Sequence, residues 1–496
     1  MSRARALIAT FIVGAFVASG FATPASAQEQ IISTLDGTYA AGEKLAGYTT
    51  ASSVLPGTPL TLRVRSYSAW SVSIVRIGTY TGGDGKVLDR VVDQTAVAQP
   101  ECTVAAGTLM VECPWNDTLS FATGAWPTGL YVARLESADG FAIAPFVVRT
   151  GNPAGTTLAK VGMISLTAYN QFGGHNAYMG PVQETEKKST VTSFDRPLDE
   201  WGLKTFREFE FTVAQAVDRN LPNASWATDV DVHSGAVSLT GVRSIVTSGH
   251  DEYWTIAERS AVERAIKSGT NLLVTGANSI YWRVRLQPSA TGADRQVAIY
   301  KTKERDPLKN SKETTIRWRS APKASPESRI TGTLYYHSYD YCKEQNFDWV
   351  VRNPSWWGYA NTGVVNGSTI PGLVGREVDQ LVKGFEIPKS TQIVAHSKFT
   401  CSGTGVTKKK YHDATYITNK AGGAVFAVGT QMWACAMNGN CVGQGTTAAT
   451  NAFTKTVTDN VLLRFDQGPA GIAFPSVNNV KKIYKKTKFK YYKPKK

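Results

Sequence analysis

The stretch Ser244-Ile-Val-Thr-Ser-Gly-His-Asp-Glu-Tyr-Trp254 decides the fold of the larger part of this chain. Its first residues form a short β-branched run, which predicts a buried strand that ends at Ser248-Gly249. Thr255-Ile-Ala-Glu258 then forms a capping box, which predicts a helix that ends before Gly269. A second apolar run, Asn271 to Thr275, follows directly. The sequence therefore predicts a strand–helix–strand unit whose two strands are parallel.

Polar residues follow both of these strands. His250, Asp251 and Glu252 come after the first strand, and Asn278 comes after the second. Ligands in open α/β sheets bind just beyond the carboxyl ends of the strands, so these residues are candidates for an active site. Two plainer interpretations stand beside this one. His250 could donate to a loop carbonyl, and Glu252 could be a helix-start residue favoured by the helix dipole.

Residues 1–27 are typical of a secretory signal. Arg3 and Arg5 precede an apolar stretch from Leu7 to Val17, and Ala25-Ser-Ala27 has the small residues of a cleavage site. The apolar stretch is shorter than a membrane span, and no later segment reaches that length. We therefore expect an exported protein that is secreted or associated with the cell surface, with no transmembrane span.

Because we expect the protein to be exported, we also expect its six cysteines to form disulfides. Two pairs enclose short turn-forming segments, and the third pair remains by elimination; the pairs are Cys102–Cys113, Cys435–Cys441 and Cys342–Cys401. No Cys-x-x-Cys motif occurs, so a zinc ribbon is not supported. The alternative is a set of buried free thiols, which is less common outside the cytoplasm.

The formal net charge of +15 comes mostly from the ends of the chain. The last sixteen residues carry nine lysines and no acid, and the signal carries Arg3 and Arg5. Without these eleven charges the remainder is close to balance, at +4. The segment 468–496 has few aliphatic residues, which predicts a disordered tail. Such a tail is either a solvated charge block or a means of attachment to an acidic cell-surface polymer, and nucleic acid is not expected as a partner.

Residues 28–150 have the pattern of short alternating strands separated by Gly, Pro and Asp turns. Leu60 to Arg65, Trp70 to Val75 and Leu130 to Leu135 are three of these strands. Tyr80-Thr-Gly-Gly-Asp-Gly85 is a strong turn signal. The pattern predicts an immunoglobulin-like β-sandwich, and Gly151-Asn-Pro-Ala-Gly155 marks its end.

Residues 156–467 alternate between strand and helix patterns, which predicts a doubly wound, flavodoxin- or glutamine-amidotransferase-like α/β domain. We expect a strand from Val161 to Ser165, a helix from Phe206 to Asn220 and a further strand from Asp229 to His233. Residues 300–400 are expected to form an insertion and returning strands. The predicted fold class is thus a multidomain α+β and α/β protein, with a β-sandwich ahead of an α/β domain.

Several common catalytic motifs are absent from the sequence. The chain has no Gly-x-Ser-x-Gly elbow, which excludes the usual α/β-hydrolase nucleophile. It also has no Gly-x-Gly-x-x-Gly motif and no P-loop, so nucleotide binding is unsupported. A glycan-modifying enzyme is a further possibility, but the sequence places no carboxylate pair at a glycosidase separation.

Seven motifs occur in order between Gly47 and Arg283, within a shared pattern that runs from about Gly47 to Phe465. The motifs are Gly47-Tyr-Thr-Thr-Ala-Ser, Tyr80-Thr-Gly-Gly-Asp-Gly, Trp126-Pro-Thr-Gly-Leu-Tyr131, Ala168-Tyr-Asn-Gln-Phe-Gly-Gly, Ser193-Phe-Asp-Arg-Pro197, Gly249-His-Asp-Glu-Tyr-Trp254 and Gly276-Ala-Asn-Ser-Ile-Tyr-Trp-Arg283. In this order they resemble the C-terminal region of the large (β) subunit of N,N-dimethylformamidase. The resemblance implies an amidohydrolase that acts on a small linear amide.

The resemblance also implies a mononuclear iron held by two tyrosines and one glutamate. Carried over to this sequence, the ligands fall on Glu252, on Tyr169 and on Tyr131, while His250 and Asn278 match polar residues that line the family's site. Tyrosinate and carboxylate are hard anionic ligands, which suit a ferric ion. Three protein ligands would leave positions open for water and for an amide oxygen.

The proton-transfer group is not implied by the resemblance. Glu377, in Gly-Arg-Glu-Val-Asp, is our candidate for a catalytic base, and the plainer interpretation is a salt-bridged surface carboxylate. Tyr169 likewise has a plainer interpretation, as a buried aromatic residue beyond a strand.

Two departures from the family pattern leave the substrate open. The family enzyme is an intracellular complex of large and small subunits with an additional N-terminal domain, whereas this chain has an export signal and a lysine tail. A second hypothesis is therefore a non-catalytic protein that binds a cell surface or a polysaccharide and whose metal site is vestigial.

Overall fold

The computed structural model describes residues 30–338, 345–401, 408–439, 441 and 444–492. The protein is of mixed α/β class, with several sheets and comparatively few helices. The predicted signal, residues 1–27, and Cys342, the predicted partner of Cys401, lie outside the described residues. The disulfides Cys102–Cys113 and Cys435–Cys441 are confirmed. In the described ranges, no helix combines the length and the apolar character that a membrane crossing requires.

The first part of the chain is all β. Its strands are β1 (Gln30–Ile32), β2 (Leu45–Thr49), β3 (Ser53–Val54), β4 (Leu60–Ser66), β5 (Trp70–Tyr80), β6 (Gly83–Gln94), β7 (Thr103–Val104), β8 (Val111–Glu112), β9 (Leu119–Phe121), β10 (Gly129–Ser137) and β11 (Gly140–Val148). Six of them form a sheet in the order β1-β6-β5-β10-β11-β3, and three form a second sheet in the order β2-β4-β9.

One hydrophobic core lies between these two sheets. Leu60, Leu62 and Val64 of β4 are buried, while the intervening Thr61 and Arg63 are only half-buried, as the period of a strand requires. These leucines pack in the same cluster as side chains of β5 and β10 from the larger sheet. The two sheets therefore stabilise each other through facing apolar sides.

The second part of the chain alternates strands and helices. Up to residue 300 its elements are β12 (Thr157–Val161), α1 (Met163–Tyr169), β13 (Val191–Ser193), α2 (Glu200–Glu208), α3 (Glu210–Asn220), β14 (Ser225–Thr228), α4 (Asp229–Ser234), β15 (Ser244–Thr247), β16 (Tyr253–Thr255), α5 (Ile256–Lys267), β17 (Asn271–Val274), β18 (Trp282–Gln287) and β19 (Gln296–Ala298).

The elements after residue 300 complete the fold. They are α6 (Ser328–Thr331), β20 (Leu334–Ser338), β21 (Phe347–Val350), β22 (Thr369–Val374), β23 (Glu377–Gln380), β24 (Glu386–Ile387), β25 (Gln392–Cys401), β26 (Lys408–Thr418), β27 (Ala424–Ala427), α7 (Met432–Ala436), α8 (Ala448–Asp466), α9 (Ala470–Ala473), α10 (Val480–Ile483) and β28 (Lys490–Tyr491).

A seven-stranded sheet in the order β14-β12-β15-β17-β27-β26-β25 organises this part. The first five strands are parallel to one another. Strand β26 is antiparallel to β27, and β25 is antiparallel to β26. The predicted unit of β15, α5 and β17 is confirmed, with β15 and β17 parallel. Thr255 and Glu258 form the predicted capping box at the start of α5. The carboxyl ends of β12, β15 and β17 therefore lie along one edge.

The first α/β segment differs from the prediction. The strand expected at Val161 to Ser165 ends at Val161, and helix α1 begins at Met163. The buried Asp229 carboxylate accepts a hydrogen bond from the Ile164 amide at 2.8 Å, which satisfies a free N–H of the first helical turn. This long-range contact has no local sequence signal. Tyr169 therefore ends a helix and does not follow a strand.

Two further elements also differ from the prediction. The helix expected over Phe206 to Asn220 belongs to two helices, α2 and α3, which are separated by a non-helical backbone conformation at Phe209. The strand expected over Asp229 to His233 is helix α4, because Thr228 and Asp231 form a capping box there.

The lysine-rich C-terminal segment is folded as far as Tyr492, where the sequence predicted disorder. Tyr484, Phe489 and Tyr491 pack against a cluster that contains Leu381 and Ile387. Strand β28 pairs with β24, and the Tyr484 hydroxyl donates to Asp413 Oδ2 at 2.5 Å. The aromatic residues between the lysines supply an apolar stripe, so the lysines stay exposed on a folded segment.

Deleting residues 480–496 is expected to lower the free energy of unfolding by at least about 2 kcal/mol, because Val480 is fully buried and its removal exposes its apolar neighbours. Denaturant unfolding of the truncated and full chains measures the difference. Replacing the exposed Lys485 and Lys486 by glutamine in the full chain is the control and should change the stability little. Equal stability of the truncated and full chains would contradict this packing.

Candidate functional site

Four segments of the chain bring polar side chains together beyond the carboxyl ends of β15 and β17. Tyr169 ends helix α1, Glu252 lies between β15 and β16, and Glu377 begins β23. Asn278 lies in the turn after β17, where its φ of 56° is in the left-handed region that asparagine tolerates. Segments that are distant in the sequence therefore place polar side chains at the predicted sheet edge.

Three oxygen atoms converge at the centre of this cluster. The hydroxyl groups of Tyr169 and Tyr178 each lie 2.7 Å from Glu252 Oε2, and the two hydroxyl oxygens are 3.0 Å apart. The second carboxylate oxygen, Oε1, accepts from the Asn278 amide at 3.1 Å. The Tyr253 hydroxyl donates to the Tyr178 hydroxyl. Glu252 is buried, so its charge is compensated by these hydrogen bonds.

His250 and Glu377 form the second half of the cluster. His250 Nε2 lies 2.7 Å from the Tyr169 hydroxyl, and His250 Nδ1 lies 3.6 Å from Glu377 Oε2. Asn278 donates to Glu377 Oε1 at 3.1 Å as well as to Glu252, so one amide links the two carboxyl groups. These contacts place a histidine and two carboxyl groups around the Tyr169 hydroxyl.

The two carboxyl groups differ in protonation because their surroundings differ. Burial alone would raise the pKa of Glu252, but the hydrogen bond and charge of His250 hold that pKa below its usual value. Burial, opposed by His250 and assisted by the charge of Glu252, raises the pKa of Glu377 to about 8. Of these two carboxyl groups, Glu252 is therefore the one that stays ionised, and Glu377 is the one whose pKa lies closer to neutral pH.

The surroundings of Tyr169 and Tyr178 keep the hydroxyl groups of both side chains protonated. Burial and then the charge of Glu252 raise the pKa of Tyr169 and of Tyr178 well above the usual value. A bound cation would have the opposite effect, because it stabilises the phenolate and displaces the proton.

A family model described as N,N-dimethylformamidase beta subunit-like, C-terminal, matches residues 71–447. The match covers most of the chain and contains every member of the cluster. The chain belongs to this family. Comparison with curated proteins found no match. Membership indicates an N,N-dimethylformamidase-like hydrolase, and the resemblance inferred from the motifs is confirmed.

The structure brings together five of the six predicted site residues, namely Tyr169, His250, Glu252 and Asn278 from the N,N-dimethylformamidase pattern and Glu377 as the separately chosen base. It does not bring Tyr131 to them. Tyr131 lies on β10 in the core of the N-terminal sheets, where it stacks on Trp126 and Phe146. Its hydroxyl donates to the Pro127 carbonyl at 2.6 Å.

Sequence reasoning missed Tyr178, Tyr253 and Lys301. Tyr178 is the second tyrosine on Glu252, and the Lys301 ammonium lies 3.5 Å from the centre of its ring. Burial lowers the pKa of Lys301 to about 7. Tyr253 directly follows Glu252, so its position in the sequence could have identified it as a site residue. Tyr178 and Lys301 come from irregular segments, and nothing in the local sequence distinguishes them.

The residues of this cluster fit a hard metal ion. Tyr169, Tyr178 and Glu252 offer three oxygen donors within 3.0 Å of one another, and His250 Nδ1 and Asn278 Oδ1 are buried without a hydrogen-bond partner. Within the described ranges, no group of three or more His, Cys, Asp or Glu side chains could hold a metal. A metal held at this cluster would have phenolate donors, which favour ferric iron over zinc.

Proposed function

We propose that this protein is an exported, iron-dependent amidohydrolase that cleaves the carbon–nitrogen bond of a small linear amide. The observation that carries the proposal is the convergence of the Tyr169, Tyr178 and Glu252 oxygens in a chain of the N,N-dimethylformamidase-like family. These three residues would hold Fe³⁺, with Tyr178 in the place first assigned to Tyr131. When bound, the ion supplies Lewis acidity, which polarises an amide carbonyl and acidifies water.

The remaining residues would orient the amide and move protons. His250 has a free ring nitrogen and would donate a hydrogen bond to the oxygen that becomes negative during attack. Asn278 spans Glu252 and Glu377 and would keep their carboxyl groups apart. Glu377, whose side chain is partly exposed, would take a proton from attacking water and return it to the leaving amine nitrogen.

The finer architecture belongs to the same proposal. We assign residues 28–150 to an immunoglobulin-like sandwich and residues 156–467 to a doubly wound α/β domain. The facing sheets of the first part and the five parallel strands of the second support these assignments. The signal-like sequence of residues 1–27 supports export to the cell surface or the medium.

Tyrosine substitutions test the ligand set. Protein loaded with Fe³⁺ is expected to absorb visible light through tyrosinate bound to the ion. Tyr169→Phe and Tyr178→Phe should each remove the contribution of one tyrosinate to this absorption and weaken iron binding at least about tenfold. Tyr131→Phe is the matched control, because its hydroxyl bonds only to Pro127 in the described structure, and it should leave the spectrum unchanged. Loss of the band in Tyr131→Phe alone would restore Tyr131 as the ligand.

Replacing Glu377 by glutamine separates proton transfer from metal binding. The change preserves the size of the side chain and removes its titrating group, so iron binding should persist while amide turnover falls about 10²- to 10⁴-fold. Steady-state turnover of N,N-dimethylformamide and formamide, with iron content measured on the same samples, checks this. Full turnover by an iron-loaded Glu377→Gln enzyme would remove Glu377 from the mechanism.

A further inference from the structure

A second cleft lies at the far edge of the seven-stranded sheet, away from the residues assigned to the candidate site. Its volume is about 1060 Å³, which lies at the upper limit for small-molecule sites and leaves room for several linked rings. Edge strand β25 contributes Gln392, His396 and Lys398 to its lining, the segment around Arg352 contributes a second side, and the C-terminal segment around Lys482 contributes a third.

The chemistry of this cleft is cationic and aromatic. Arg352, Lys398 and Lys482 line it, and no carboxylate of the described residues does. None of these three cations forms an ion pair in the part of the chain that the structure describes. The rings of Trp357 and Phe474 also line the cleft and lie 5.6 Å apart, and Phe474 is 39% exposed. The cleft therefore offers unpaired positive charge beside an accessible apolar platform.

Hydrogen bonds hold the sides of the cleft in place. Asn479 exchanges two hydrogen bonds with the backbone of Ile393, at 2.7 and 2.9 Å, and Gln392 accepts from the Val477 amide at 2.9 Å. The Arg352 Nε–H donates to the His396 carbonyl at 3.2 Å. Because these contacts join the C-terminal segment and the Arg352 segment to β25, the cleft exists before any ligand binds, which lowers the entropic cost of binding.

We propose that this cleft binds an acidic polysaccharide whose sugar rings carry carboxylate groups. The three cations would pair with carboxylates, the Trp357 and Phe474 rings would pack on the apolar faces of sugar rings, and Asn353, Ser355 and Asn366 would bond to hydroxyl groups. The exposed lysines that follow Lys482 on the folded C-terminal segment extend the positive surface along a polymer chain. The site requires neither iron nor amide hydrolysis.

Single-stranded nucleic acid also binds to cations and aromatic rings, so the test must separate it from a polysaccharide. The polar lining of amides and a hydroxyl matches sugar hydroxyls, and the predicted export signal directs the protein away from nucleic acid. The acidic polysaccharide is therefore the ligand that the cleft favours.

Calorimetric titration of the mature chain with a hexamer of galacturonic acid tests the proposal. Maltohexaose, which is neutral, and a single-stranded DNA of equal charge are titrated alongside it. The variant Lys398→Gln/Lys482→Gln is expected to bind the acidic hexamer at least about tenfold more weakly, because two charged contacts are lost. Phe474→Ala should also weaken binding, and both variants should hydrolyse amides like the parent protein.

The variant Lys267→Gln/Lys309→Gln is the matched control, because it removes two exposed lysines elsewhere and lowers the net charge equally. Its affinity should stay within about twofold of the parent, since its lysines make no contact with the cleft. The proposal would be overturned if the acidic hexamer did not bind, or if the two double lysine variants lost equal affinity for it. It would also be overturned if the DNA bound more tightly than the hexamer and its affinity depended equally on Lys398 and Lys482.

Discussion

Replacing Glu252 by glutamine is expected to abolish iron binding and to reduce amide hydrolysis at least about 10³-fold. The loss corresponds to the several kcal/mol of transition-state stabilisation that a bound metal ion supplies. Glu252 carries the ionised carboxylate on which Tyr169 and Tyr178 converge at 2.7 Å. A neutral amide retains the size of the side chain but removes the charge that would balance the ion.

The fold should survive this change, because a glutamine oxygen still accepts the hydrogen bond from a tyrosine. Circular dichroism and thermal unfolding check the fold, and metal analysis with an amide-turnover assay checks the site. Glu263→Gln is the control: this carboxylate lies on α5 and pairs with Arg259 at 2.8 Å, so iron content and turnover should stay normal. A Glu252→Gln protein with full iron content would refute the ligand assignment.

Replacing Lys160 by methionine is expected to lower the free energy of unfolding by about 3–5 kcal/mol at neutral pH. Lys160 is fully buried on β12, and its ammonium lies 2.6 Å from Asp251 and 2.7 Å from Glu258. Asp229, also buried, faces the same charge. Removing the cation leaves buried carboxyl groups without compensation, directly beside the loop that carries Glu252.

The loss of stability in the Lys160→Met protein should be larger at high pH than at low pH. Burial raises the pKa of Glu258 to about 7 even with Lys160 present, and burial raises the pKa of Asp229 as well. Carboxyl groups with raised folded-state pKa values stabilise the fold below their unfolded pKa and lose that contribution as the pH rises through the folded value. The Lys160→Met protein should therefore lose less stability at pH 5 than at pH 8.

Urea unfolding at both pH values measures the effect. Lys455→Met is the control, because its ion pair with Asp459 is exposed and should contribute no more than about 0.5 kcal/mol. A Lys160→Met protein as stable as this control would show that the buried charges do not support the fold.

The central unit of the fold could be predicted from the sequence because its signals are local. The run at Ser244, the capping box at Thr255 and Glu258, and the run at Asn271 each specify one element, and β15, α5 and β17 follow. The alternation in β4 likewise revealed a half-buried strand. Local periodicity and capping residues are sufficient where an element depends on its own sequence.

Elements that depend on distant residues could not be predicted in this way. Helix α1 begins where Asp229, more than sixty residues away, satisfies an amide. The C-terminal segment is ordered by burial against Leu381 and Ile387, although its composition is that of a charged tail. In both cases tertiary contacts outweigh the local pattern.

The candidate site could likewise be predicted from the sequence only in part. Glu252, His250 and Asn278 follow strands of one sheet, so the topology rule places them together. Tyr178 belongs to an irregular segment, and its approach to Glu252 is visible only in three dimensions. The motif around Tyr131 pointed to a ligand, but its strand belongs to the core of the N-terminal sheets.

Metal analysis combined with a visible absorption spectrum tests the central claim most directly. The protein should be purified without chelators and without a histidine tag, and then measured as isolated and after incubation with ferric iron. We expect about one iron per chain and a tyrosinate absorption band, because three oxygen donors converge at one point. A colourless protein that contains no metal and takes up no iron would contradict the proposal and leave a non-catalytic binding protein as the better account.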